Sequence, residues 1–393
     1  MSSTPLRTIA NLFDVAGLFL RLGATAFGGP VEHIALMEQE VVVQRGWFSR
    51  AEYLDMMGIV NLIPGPNSAE MAILIGYRRA GWLGFLAGGV CFILPAAFII
   101  SVIAWAYVNF GKLSLVEGLF YGIKPVIIAV VVQAIWNLRR AVVKTPLLAI
   151  VGAGAATLSC FAVHPFLVLL GAGAFMLVFR AASQPKGSVA CLTPLLGAPE
   201  FRLLSTAGAA SSFSLWPMFL FFLKLGFVMF GSGYVMLAFL RTDLVEHWHW
   251  LTEGQLLDIV AIGQFTPGPL LTTATFIGYI LGGPQAAFVA TVAMFLPSFM
   301  LVAISGSLVP RLRQSRLARA FLDGVNVALL ALLAVVTWQL GRIALVDWLT
   351  VSLAVAATVW LLFFRVNSTW LILAGAALGL SRFVFQAGLD PGP

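Results

Sequence analysis

Phe19-Leu20-Arg21-Leu22-Gly23 reappears as Phe222-Leu223-Lys224-Leu225-Gly226. Further along, Phe27-Gly28-Gly29 returns as Phe230-Gly231-Ser232, Asp55 as Asp258, and Pro64-Gly65-Pro66 as Pro267-Gly268-Pro269. After a one-residue gap, Ile75-Gly76-Tyr77 returns as Ile277-Gly278-Tyr279 and Leu94-Pro95 as Leu296-Pro297. Gly122, Trp136 and Arg140 then match Gly324, Trp338 and Arg342. The chain is one unit written twice, and in an apolar chain such a duplication marks a membrane transporter.

Hydrophobic residues make up 60% of the sequence and charged residues 10%, against about 25% charged in soluble domains. Phe85 to Val108 and Ala286 to Val309 carry no charge, and each exceeds the ~20 residues a helix needs to cross a bilayer core. The fold class is therefore an all-α integral membrane protein. A membrane β-barrel would show alternating polarity over segments of about ten residues, and these runs do not alternate. The formal charge of +7 does not imply nucleic acid, because the basic residues sit in short loops between apolar runs. Cys91, Cys160 and Cys191 form no CxxC pair and read as small buried side chains rather than as a disulfide or metal framework. Asp14 and Arg21 interrupt the first apolar stretch, so it does not read as a signal peptide.

The sequence divides into a first transmembrane repeat (1–180), a linker richer in Ser, Pro and charge (181–212) and a second repeat (213–393). The first repeat opens with a helix from Leu12 to Phe27, broken at Gly28-Gly29-Pro30 by a permissive residue pair and a helix-blocking proline. An amphipathic stretch from Glu32 to Arg50 follows. Ala51 to Ile63 is a second apolar segment, stopped by Pro64-Gly65-Pro66. Asn67 then reads as an N-cap with Glu70 in capping-box spacing, and its helix runs to Arg79. Each piece around the Pro-Gly-Pro is about thirteen residues, too short to span alone. Together they fit a re-entrant pair of half-helices. Spans at Trp82–Val108 and Leu119–Leu138 and a hairpin of short helices split at His164-Pro165 complete the unit. The second repeat follows the same order: Leu215–Phe230, half-helices around Pro267-Gly268-Pro269, then Pro284–Val309, Ala320–Leu340, Trp348–Phe364 and Thr369–Phe385. Each repeat thus holds about five transmembrane helices plus the half-helix pair.

Loop charge predicts how the copies are inserted. Arg78 and Arg79 in the first copy face Ile280 and Leu281 in the second. Lys112 stands alone where the second copy has Arg311, Arg313, Arg316 and Arg319, whereas Arg139, Arg140 and Lys144 face only Arg342. The basic loops alternate between copies, which by the positive-inside rule gives two inverted-topology repeats. The linker, with Arg180, Lys186 and Arg202, falls on the cytoplasmic side, and both termini fall outside.

Inverted repeats build substrate sites near the bilayer midplane from broken helices, and three features point to an anion there. Arg21 and Lys224 lie in apolar helices at the same repeat position, where a lone cation costs at least about 2.5–3.5 kcal/mol. Each requires a compensating partner, either an anionic substrate or an internal acid, unless it snorkels to the interface. The second feature is the helix start after each Pro-Gly-Pro, whose N–H groups and positive helix end favour an anion. Gly65 and Gly268 would admit it close to the backbone, with Pro64, Pro66, Pro267 and Pro269 fixing the break. Asn61, Asn67 and Ser68 are candidate donors in the first copy, and Gln264, Thr266, Thr272 and Thr273 in the second. A simple kink in a packed helix is the competing reading. The third feature is the break at Gly28, Gly29 and Pro30, matched by Gly231-Ser232-Gly233, which would expose N–H donors or pack helices closely. Glu32, Glu70 and His33 are candidates for proton coupling, since a proton-driven carrier needs a titratable group shielded from water. Glu32 and Glu70 face Val235 and Thr273 in the second copy. Asp55 and Asp258 repeat and read as structural acids that pair with a neighbouring base. His247 and His249, beside Trp248 and Trp250, read as interfacial.

The four His and three Cys do not cluster in metal-ligand spacing, and no GxxxxGK[ST] sequence is present. A membrane-embedded enzyme would need a convergent acid, base or metal site, so the sequence reads as a transporter without cofactor.

At Phe27-Gly28-Gly29-Pro30 with His33, and at Leu62 through Ala72, Ile75 through Trp82 and Cys91 through Pro95, the chain resembles the chromate ion transporter family in its long two-domain form. Phe230 through Gly233 and Gln264 through Pro269 carry the resemblance in the second half. It implies export of chromate driven by the proton-motive force, by alternating access, from a multi-pass protein of the cell inner membrane. Chromate resistance would follow. Sulfate, a dianion of similar shape, is the expected competitor, and a sulfate permease or exchanger is the alternative reading. The implied partners are the transported anion and the lipid bilayer, and a homodimer is one form the protein could take.

Overall fold

The structure is a computed structural model and describes residues 5–111, 113–161, 163–182, 213–229, 233–364 and 368–389. Most of the linker, Phe230, Gly231, Ser232, Lys112 and Cys191 lie outside the described residues.

Every regular element among the described residues is helical. The first repeat contains α1 (Pro5–Thr25), α2 (Pro30–Glu38), a π-helical turn (Gln39–Gln44), α3 (Arg50–Val60), α4 (Asn67–Phe110), α5 (Ser114–Val142), α6 (Pro146–Cys160) and α7 (Pro165–Ala182). The second contains α8 (Leu215–Val228), a 3-10 turn (Gly233–Val235), α9 (Met236–Phe239), a π-helical turn (Leu240–His247), α10 (Glu253–Phe265), a 3-10 turn (Leu270–Thr272), α11 (Thr273–Gln314), α12 (Arg316–Ala344), α13 (Trp348–Phe364) and α14 (Ser368–Leu389). The α-helices and the π-helical turn follow the same order in both lists, and the second adds the two 3-10 turns.

The correspondence reaches the level of single hydrogen bonds. Ser49 caps α3 by accepting from Glu52 N–H (3.3 Å), while the Glu52 carboxylate accepts from Ser49 N–H (2.7 Å). Thr252 and Gln255 make the same reciprocal pair at the start of α10 (3.2 and 2.9 Å). These capping boxes begin the two half-helices. Both long helices break where the half-helix is expected to end: α4 at Ala80 and Gly81 (φ +63°), α11 at the equivalent Gly282 and Gly283 (φ +72°). Each glycine adopts the left-handed conformation that other residues resist. The break separates a short inner helix from a spanning one, as the sequence predicts at Arg79 and Trp82.

The tertiary packing repeats as well. α1 lies along α4, and α8 along α11. The hairpin α6–α7 packs on α12 of the other repeat, and α13–α14 packs on α5. α4 meets α11, and α5 meets α12, at the centre. Small residues permit the approach: a Cβ on Gly122 would strike the backbone of Gly375 and Gly379, and one on Gly324 would strike that of Ala172.

Among the described residues, five helices are long and apolar enough to cross a membrane, and four shorter apolar helices accompany them. Large apolar side chains such as Trp82, Phe98, Phe288, Trp338 and Phe363 are exposed, which suits a surface solvated by lipid. The protein is a multi-pass membrane protein. The cysteines depart from expectation: Cys160 is exposed and Cys91 half-buried, because a thiol on an apolar helix is tolerated against lipid as well as in a core.

Candidate functional site

Gly65 (φ +140°) and Gly268 (φ +87°) hold both Pro-Gly-Pro breaks in conformations that favour glycine. Gly65 N–H donates to the Met229 carbonyl (2.5 Å), and Gly268 N–H donates to the Ala26 carbonyl (2.8 Å). Ala26 and Met229 are equivalent positions just past the ends of α1 and α8. Each repeat's break is therefore pinned by the other repeat, and the two form an interlock. These two N–H groups are not free for an anion, contrary to expectation.

The helix start after Pro66 also differs from the expected capping box. Pro66 is the cap residue, Asn67 is the first helical residue, and no side chain caps this end. Pro66 carbonyl accepts from Ala69 N–H (2.8 Å) and Glu70 N–H (3.1 Å). The N–H groups of Asn67 and Ser68 have no acceptor among the described residues. Asn67 Nδ2 donates to Asn61 Oδ1 (2.9 Å), joining the two half-helices across the break.

Glu70 is fully buried, and neither carboxyl oxygen has a hydrogen-bond partner. Its neighbour across the repeat boundary is Ser298 on α11, also fully buried with an unpartnered Oγ. A Cβ placed on Gly65 would strike Glu70 Oε1 and lie 3.1 Å from Ser298 Oγ. At the equivalent Gly268 it would meet the Ala96 methyl and the Gly23 carbonyl. Ala96 is the counterpart of Ser298. The two cradles share one shape, and only the first is lined by a carboxyl and a hydroxyl.

His33 adjoins the interlock. It is buried, its Nε2 lies 3.1 Å from the Ala26 carbonyl, and its ring meets Phe92 edge-on at 5.8 Å. Donation from Nε2 leaves Nδ1 as a buried acceptor with no partner. The counterpart of His33 is Met236.

The second copy's candidate hydroxyls are committed elsewhere. Thr272 donates to the Pro269 carbonyl (2.8 Å), Thr273 to the Leu270 carbonyl (2.9 Å) and Thr266 to the Gly263 carbonyl (3.4 Å). Gln264 and Thr273 line a void of about 10 Å³, room for about one water. Glu32 is exposed and accepts from Gly29 N–H (2.8 Å), capping α2 behind Gly28 (φ +109°) and ahead of Pro30. Its carboxylate thus serves the fold of that break.

The cations of α1 and α8 are half-exposed and form internal ion pairs. Arg21 Nη2 meets Glu40 Oε1 at 2.5 Å, and Lys224 Nζ meets Asp243 Oδ2 at 3.9 Å. Glu40 and Asp243 occupy equivalent positions in the two π-helical turns. His164 of the first repeat also reaches Asp243 (3.1 Å). A second pair repeats with its charges exchanged: Arg50 meets Glu38 at 3.3 Å, and Glu253 meets Arg241 at 2.7 Å. Asp258 pairs with Lys124 of α5 (2.9 Å) and accepts from Tyr107 (2.8 Å), as expected of a structural acid. Glu40, Asp243, Lys124 and Ser298 escape the sequence reading. Glu40 and Asp243 are visible in it only by allowing any acid to match any other at the repeat offset. Ser298 has no such signal, because only the fold brings it to Glu70.

The chromate transporter family model matches the chain twice, over residues 13–177 and 216–380. The chain belongs to the chromate transporter family. It is similar to a probable chromate transport protein of Synechococcus elongatus, 31% identical over 94% of this chain and 95% of that one. It is also similar to a chromate transport protein of Cupriavidus metallidurans, 32% identical over 92% and 90%. An uncharacterised transporter of Bacillus subtilis, YwrA, is 26% identical to 37% of this chain across 84% of its own length, so a single repeat occurs elsewhere as nearly a whole protein. No solved structure matches. Membership makes this chain a transporter rather than an enzyme.

Proposed function

We propose that the protein carries chromate out of the cell across the inner membrane by alternating access, with a proton moving on Glu70. The observation that carries this reading is the interlock of the two helix breaks beside a fully buried, unpartnered carboxyl. The relative from Cupriavidus metallidurans is named as a chromate transport protein and that from Synechococcus elongatus as a probable one, which supports chromate as the substrate. The oxyanion is received by the first-copy break, through the Asn67 and Ser68 N–H groups, the Ser68 hydroxyl and Ser298. Arg21 and Lys224 hold the acids beside the breaks and release them as the repeats rock. An ionised carboxylate without a partner is strongly disfavoured in a dry interior. The occluded form therefore carries Glu70 as the acid, and a form that wets the break lets it ionise. Repulsion between that carboxylate and a dianion means that the oxyanion binds while Glu70 carries its proton, which links the two occupancies; the loaded site still carries net negative charge, which an inside-negative membrane potential drives outward. Two repeats inserted in opposite orientations, with the linker cytoplasmic and the termini outside, supply the two access states.

The test is chromate flux in proteoliposomes under an imposed pH gradient. Wild-type flux should follow the gradient, and Glu70→Gln should fold yet lose that response. Gradient-insensitive flux in the wild type would sink proton coupling. Sulfate flux without chromate flux would establish the sulfate permease reading instead.

A further inference from the structure

We propose that a basic cavity between α6, α7 and α12, away from the helix breaks, binds the phosphate headgroup of an anionic phospholipid. The cavity has a volume of about 740 Å³ and carries Lys144, Arg180, Arg316 and Arg319 against one acid, Asp323. Lys144 pairs with Asp323 (2.9 Å). Among the described residues Arg180, Arg316 and Arg319 have no acidic partner.

Three observations converge on an anion. First, two helices start here: Thr145 caps α6 and Ser315 caps α12, so two positive helix ends face the cavity. Second, Arg316 and Arg319 occupy the first turn of α12, which contains no acid. Cations at that end oppose the helix dipole, and a bound anion removes the conflict. Third, the equivalent place in the other repeat is built the opposite way. There Asp347 stands for Thr145, Glu117 for Arg319, Ser114 for Arg316 and Val346 for Lys144. Arg382 bonds Asp347 at 2.7 Å and lies 4.4 Å over the Tyr121 ring, and the Tyr121 hydroxyl also donates to Asp347. One scaffold position is thus self-neutralised on one repeat and cationic on the other.

The walls distinguish a lipid from a free oxyanion. Leu147, Leu148, Met176 and Phe179 line the cavity beside the cations, and Phe179 is exposed on the apolar flank of α7. A phosphodiester at the basic rim with acyl chains along that wall satisfies both halves of the lining, as in other basic pockets between transmembrane helices.

Native mass spectrometry of the full chain in detergent tests this, using phosphatidylglycerol, phosphatidylcholine with the same acyl chains, and inorganic phosphate. Phosphatidylglycerol should be retained, phosphatidylcholine should not, and millimolar phosphate should fail to displace the bound lipid. Removing two cations in Arg316→Gln/Arg319→Gln should weaken phosphatidylglycerol binding about thirtyfold, whereas Arg78→Gln/Arg79→Gln, an equal charge change elsewhere, should not. Arg180→Gln, at the exposed end of α7, gives a weaker version of the same loss if the double variant fails to fold. Unchanged retention in the basic-cavity variants, or equal retention of the two lipids, would overturn the proposal. Displacement by phosphate alone would make it a free-anion site and overturn the lipid assignment.

Discussion

Gly268→Ala should destabilise the protein more than Gly283→Ala, the equivalent methyl added at an uncrowded positive-φ glycine. The residue sits at φ +87°, and an L-residue in the left-handed region loses about 1–2 kcal/mol. Its new methyl would collide with the Ala96 methyl and approach the Gly23 carbonyl to 3.1 Å. Neither neighbour can rotate away, since one is a single methyl and the other is backbone, so overpacking adds about 1–3 kcal/mol. Gly283→Ala is the control: φ is +72° with nothing within 4 Å of the added atom, leaving only the conformational part. Thermal unfolding of the detergent-solubilised protein, followed by tryptophan fluorescence, separates the two. At about 2.1 cal/mol/K of unfolding entropy per residue, 1 kcal/mol shifts the midpoint of a chain this long by about 1 °C. Gly268→Ala should therefore melt about 1–3 °C below Gly283→Ala. Ala96→Gly should recover that difference when combined with Gly268→Ala, measured against Ala96→Gly alone. Equal melting of the two glycine variants, or no recovery on removing the Ala96 methyl, would refute the crowded interlock.

The exchanged ion pair predicts unequal losses. Arg241 is 16% exposed and bonds both Glu246 and Glu253, whereas Arg50 is 78% exposed and pairs with Glu38. Arg50→Ala should change stability by about 0.2–1 kcal/mol and Arg241→Ala by more, read from melting of each single variant. Ser49→Ala and Thr252→Ala should each cost about 1 kcal/mol by loss of a cap. The Glu52 carboxyl is held below the ordinary carboxylate range by the Ser49 N–H and hydroxyl. Its stabilisation is present above that range and disappears as pH falls through its lowered folded value, so Ser49→Ala should flatten the acid limb of a pH–stability curve. Lys124→Met should leave Asp258 buried beside Tyr107 without its cation and destabilise by about 3–5 kcal/mol; a wild-type melting point would remove the pair from the fold.

The broken-helix pattern was legible because glycine and proline act locally. Pro64, Gly65 and Pro66 stop a helix whatever surrounds them, and the boundaries at Arg79 and Trp82 follow from Gly81. The partners of the helix breaks were not legible, because they come from the other repeat. Gly65 N–H finds Met229 and Asp258 finds Lys124, and Ser298 is brought to the same cradle as Glu70, none of which local spacing encodes. The Glu70 capping box failed for a related reason. Pro66, not Asn67, ends the non-helical stretch, so the carboxyl turns inward.

The exchange of hairpins between repeats sets an order on biosynthesis. α5 is covered by α13 and α14, which are synthesised long after it, while α6 and α7 wait for α12. The first repeat therefore enters the bilayer with its central helix uncovered and is completed only after the second has been inserted. Cutting the gene within 183–212 would yield two fragments, neither closed by itself, that must be produced together to mature.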